Sequence, residues 1–152
     1  MLKTKIMGLV TLVTLFLGAL PMAQSDAATS MGHRIVIQVD TGDAPTMNLA
    51  LNNAANVDAY YKAKGEEVQI EIVAFGPGLN MLRADKSPVK KRIASFGENF
   101  DNIRFSACDN TLKKMTKKEG KVPPLVPQAR HVPAGVVRIS ELQEQGWSYI
   151  RP

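Results

Sequence analysis

From His33 the chain reads HRIVIQVD, a dense β-branched run of strand length, and such runs belong to strands buried on both faces of a sheet. The polar stretch TGDAPT that follows is a turn, in which Asp43 can cap a helix and Pro45 suits its first turn. Apolar residues at Met47, Ala50, Leu51, Ala54, Val57 and Tyr61 then return at helical spacing until Gly65. The period changes again at EVQIEIVAF, Glu67 to Phe75, which predicts a second strand ending in Gly-Pro-Gly at Gly76 to Gly78.

Leu79, Met81 and Leu82 predict a short helical turn. Ser87 and Pro88 read as the cap and first position of a further helix that turns Val89, Ile93 and Phe96 inward and closes at Gly97. Ile103 to Ala107 is the third strand, with Cys108 at its carboxyl end, and Asp109 or Asn110 can cap a helix whose inner face offers Leu112 and Met115. The proline-rich GKVPPLVPQ predicts an extended loop. His131 to Pro133 is a short fourth strand, Val136, Ile139 and Leu142 mark a last helix running to Gly146, and WSYI closes the pattern as a strand. Strands alternating with helices predict an α/β three-layer sandwich with a mostly parallel central sheet of about five strands.

In such sheets ligands gather at the carboxyl ends of the strands. DTGD, GPG and CDN all fall there, which places the lone cysteine, Cys108, on a glycine-lined rim if the three strands are neighbours. A helix start favours the thiolate, but the peptide dipoles are worth only about 0.3–1 kcal/mol at an exposed site, and Asp109 opposes them. Backbone N–H groups of Gly76 and Gly78 can supply more, as in anion-binding loops, although a tight turn explains the same glycines. For Cys108 itself two readings stand: a reactive thiol, or a buried inert one.

Other chemistries drop out on spacing. A low-molecular-weight phosphatase needs an arginine six residues after its cysteine, where this chain has Lys114, and lysine is a poor replacement for that bidentate fork. Thioredoxin-like exchange needs a second cysteine. DTGD lacks most of the hydroxyls of a flavin-phosphate loop, so no flavin or other cofactor is expected. His33 and His131 are too few and too isolated for a metal site, which usually wants three or four ligands. Lys113, Lys114, Lys117 and Lys118 cover one side of a helix and read first as a solvated face, with anion steering as the alternative.

The N-terminal segment changes the cellular context. Lys3 and Lys5, the apolar run Ile6 to Leu20, Pro21 and AQSDAA form a signal-peptide pattern over residues 1–27, cut near Ala27 or Ala28, which leaves one domain over residues 28–152. A periplasmic or secreted protein with no membrane attachment after cleavage is expected. Few aromatics and no recognition motif argue against nucleic acid as a partner, despite a formal charge of +5. In an oxidising compartment an odd thiol is either reactive or deeply buried.

VAFGPGLNML, IRFSACDNTL and VPAGVVRISELQEQGWSYIRP together resemble the DsrE/DsrF-like family, relatives of the sulfur-relay proteins that include TusD. The likeness runs from the first strand to Pro152. It implies a DsrE-like, flavodoxin-like topology assembled into homo-oligomers, commonly trimers or hexamers. It also implies a sulfur-carrier or sulfurtransferase-like role, in which Cys108 takes sulfane sulfur from a donor as a persulfide and passes it to an acceptor. Gly76 and Gly78 would then shape the substrate rim, and Asn110 and Thr111 would start the neighbouring helix. The alternatives are a non-enzymatic module that binds a small anion or a protein around a buried structural cysteine, and a thiol redox sensor.

Overall fold

The structure is a computed structural model that describes residues 32–152; the signal-peptide segment, and with it the start of the expected domain at residue 28, lie outside the described residues. Five strands form one all-parallel sheet: β1 (His33–Val39), β2 (Val68–Ala74), β3 (Ile103–Cys108), β4 (Ala129–Val132) and β5 (Ser148–Ile150). They alternate with α1 (Ala44–Ala63), α2 (Lys90–Asn99), α3 (Asp109–Glu119) and α4 (Gly135–Glu144), and a 3₁₀ segment, Gly76–Leu82, precedes α2. No helix of the described residues is long and apolar enough to cross a membrane.

The strand order is β4-β3-β2-β1-β5. This corrects the flavodoxin-like expectation, whose order is 2-1-3-4-5. From β1 to β4 the chain steps steadily in one direction, then returns across the whole sheet to place β5 beside β1. Right-handed crossovers put the connections of a steady march on one face and that of the return on the other. Packing follows this rule. Ile35, Ile37, Ile70, Ile72 and Phe105 meet α1, the 3₁₀ segment, α2 and α3 in the large core, whereas Val36 and Val73 meet only Ile139 and Leu142 of α4, flanked by Phe75 and Trp147.

Local signals explain most element ends. Asp43 accepts from the Thr46 N–H at 2.9 Å and caps α1 as its sequence predicts. Helix α2 departs from expectation at both ends. It starts at Lys90, because Ser87 instead donates its hydroxyl to the Met81 carbonyl, and it runs through Gly97 to Asn99. Gly97 serves packing there: a Cβ would come within 2.8 Å of the Gln128 side chain. The proline-rich loop is tied down by the Val126 N–H, which donates to Leu82 O at 2.9 Å.

Candidate functional site

Adjacent strands β3 and β4 send their chains to opposite faces of the sheet, β3 into α3 and β4 into α4. A crevice opens where neighbouring connections diverge in this way, and it is where open α/β sheets hold their ligands. Cys108 ends β3 at that point. Its sulfur, rather than Asp109 or Asn110, caps α3 by accepting from the Thr111 N–H at 3.4 Å.

Cys108 is 4% exposed, so the open rim position expected from sequence is not what the fold builds. The β4–α4 turn closes over the end of β3: the Asn110 N–H donates to Pro133 O at 3.2 Å. The sulfur accepts a hydrogen bond from the first turn of α3, and the start of α4 lies over it through this turn. Burial alone pushes the thiol pKa up, but the Thr111 hydroxyl and the N–H groups of Gly135, Thr111 and Asn110 outweigh it and hold the pKa below the ordinary thiol value. The pairing of Asp109 with His131, 2.6 Å between Oδ1 and Nδ1, gives the adjacent carboxylate a partner of its own.

The glycines serve this arrangement from behind. Gly76 takes a φ of +52°, and its N–H donates to the Thr111 hydroxyl at 2.9 Å, so it orients Thr111 and does not face a ligand. Gly78 is buried, and a Cβ there would lie 2.1 Å from Val39 O, so its absence of side chain lets the 3₁₀ segment cross the end of β1. Asn110 is exposed and Thr111 half-buried in the first turn of α3. The fold thus gathers Cys108, Thr111 and Gly76 into one hydrogen-bonded group, joined to Asn110 through the backbone, with Gly78 packed away beneath.

Sequence reasoning did not assign a role to Gly135. The signal was the Pro133-Ala134-Gly135 run: a Cβ at Gly135 would lie 2.9 Å from the Phe75 side chain, so glycine lets α4 begin close against β2. Lys113, Lys114, Lys117 and Lys118 are all exposed, a solvated face.

No family model and no curated protein matches the chain. Among solved structures it is similar to MTH1491, a protein of unknown function from Methanobacterium thermoautotrophicum, at 32% identity and a TM-score of 0.67, over 79% of this chain and 99% of that one.

Proposed function

This chain belongs to the same family as the archaeal protein MTH1491, and we propose that it is a sulfur carrier in which Cys108 holds sulfane sulfur as a persulfide. The observation that supports this is the Thr111 N–H donated to the Cys108 sulfur at the start of α3, in surroundings that hold the thiol pKa below its ordinary value and so favour the nucleophilic thiolate. The thiolate attacks the outer sulfur of a polysulfide or persulfide donor. A sulfur–sulfur bond forms to Cys108, the donor's own sulfur–sulfur bond breaks, and its electron pair leaves with the donor thiolate. Attack by a second thiolate on the outer sulfur reverses the process and frees Cys108, so no oxidant or resolving cysteine is needed. The reading includes the sequence-based expectations of a DsrE/DsrF-like relative, export to the periplasm or beyond, and homo-oligomeric assembly.

Intact-mass measurement after exposure to inorganic polysulfide tests it. The native chain gains one or more sulfur atoms and Cys108→Ser gains none. Absence of gain in the native chain, or equal gain in the variant, overturns the reading.

The 4% exposure of Cys108 favours a second reading, a binding module in which the thiol is only a structural helix cap. That reading expects alkylation of Cys108 only at the rate of unfolding, whereas the carrier alkylates in the folded state.

A further inference from the structure

Strand β3 alternates strictly. Ile103, Phe105 and Ala107 enter the large core, which leaves Arg104 and Ser106 on the face toward α4. Register sets Arg130 of β4 opposite Ser106, so Arg104 and Arg130 stand one diagonal step apart on that face. Helix α4 packs over Val36 and Val73, on β1 and β2, and reaches β3 at the buried Ser106, but leaves Arg104 and Arg130 exposed. The uncovered strip is a cleft of about 270 Å³ between the sheet and α4, ending at the β4–α4 turn.

Glu71, the buried carboxylate of this cleft, is already engaged. Glu71 Oε1 accepts from the Ser106 hydroxyl at 2.7 Å and from Arg138 Nε at 2.8 Å, and its Oε2 accepts from Arg138 Nη2 at 2.7 Å. Glu141 acts on Arg138 as well. Arg104 adds to the field on Glu71 from the neighbouring strand, yet among the described residues neither Arg104 nor Arg130 forms an ion pair. Both are exposed. Glu71 is the cross-strand neighbour of Arg104 but gives both its oxygens to Arg138 and Ser106, and the planar forks of Arg104 and Arg130 match the oxygens of an anion.

We propose that this cleft binds a small dianion whose oxygens bridge Arg104 and Arg130. Pockets for larger organic ligands run to about 300–1,000 Å³, so the space suits a compact oxyanion or dicarboxylate and not a nucleotide. Cys108, the next residue of β3 on this face after Ser106, does not line the cleft.

Isothermal titration of the purified full chain tests it, with inorganic sulfate, inorganic phosphate and malonate as probes and chloride at matched ionic strength as the blank. Saturable binding of one equivalent is expected. Arg104→Gln and Arg130→Gln, exposed changes checked for folding by circular dichroism, should each weaken it by at least about tenfold, the scale of losing a charge-assisted contact. The double variant should not bind, and Cys108→Ala should bind as the native chain does. Binding of sulfate and phosphate alone supports a tetrahedral oxyanion, and binding of malonate alone a dicarboxylate. No saturable heat above chloride, or a double variant that binds like the native chain, overturns the proposal. Because Cys108 does not line the cleft, this result is read independently of sulfur loading.

Discussion

The Gly76 N–H donates to the Thr111 hydroxyl at 2.9 Å, which joins the exit of β2 to the first turn of α3, where the Thr111 N–H donates to the Cys108 sulfur at 3.4 Å and the Thr111 hydroxyl lowers the thiol pKa. Thr111 is therefore a positioning residue for the thiolate. Thr111→Val should raise the Cys108 pKa and slow its alkylation at neutral pH several-fold, while Thr111→Ser should restore the native profile. The rate of iodoacetamide labelling against pH measures this. An unchanged profile in the valine variant would show that the hydroxyl does not act on the sulfur.

Gly135 acts from the other helix. In Gly135→Ala the new methyl would meet Phe75 at 2.9 Å, so the start of α4 must lift or Phe75 must turn. Overpacking of this kind costs about 1–3 kcal/mol, and a lifted α4 withdraws one N–H from Cys108. Urea denaturation should show the loss of stability, and the labelling profile should move to higher pH as it does for Thr111→Val. Lost stability with an unmoved profile would separate packing from thiol activation.

The two glycines of Gly-Pro-Gly should differ sharply. At Gly76 a Cβ has open space, its nearest neighbour being Asp40 O at 3.7 Å, so Gly76→Ala meets only the left-handed backbone cost of about 1–2 kcal/mol. At Gly78 the methyl would sit 2.1 Å from a backbone carbonyl that cannot swing away, so Gly78→Ala should cost more than about 3 kcal/mol or prevent folding. Equal stabilities for the two variants would contradict this crossing of the 3₁₀ segment over β1.

Acid stability should depend on Arg83. This residue is 1% exposed and is held between Asp85 and Glu119, which ties the end of the 3₁₀ segment to the end of α3. Its guanidinium lowers the Asp85 pKa to about 2 and lowers that of Glu119 as well. Carboxylates depressed in the folded state contribute stability above their unfolded pKa values, about 4, and that contribution is lost as the pH falls toward 2. Urea midpoints measured from pH 7 to pH 2 should fall steeply below pH 4 for the native chain. Arg83→Met should be less stable at pH 7 and show a shallower acid slope; a parallel curve would remove Arg83 as the cause.

Periodicity in the sequence determined the element list. The β-branched run at His33, the helical spacing from Met47 to Tyr61 and the strict alternation of Ile103 to Cys108 each record which face of a strand or helix meets apolar neighbours, and that is a local property. It also set Cys108 at the end of a strand and before a helix. Tertiary structure decided the rest. Only the return of β5 across the sheet leaves α4 alone on its face, folds the start of α4 over the end of β3, and leaves Arg104 and Arg130 exposed. The burial of the thiol had the same origin, since it depends on a turn some 25 residues further along the chain folding back over β3. Strand order and crossover direction come from the packing of distant segments, and no residue's own neighbours in the chain encode them.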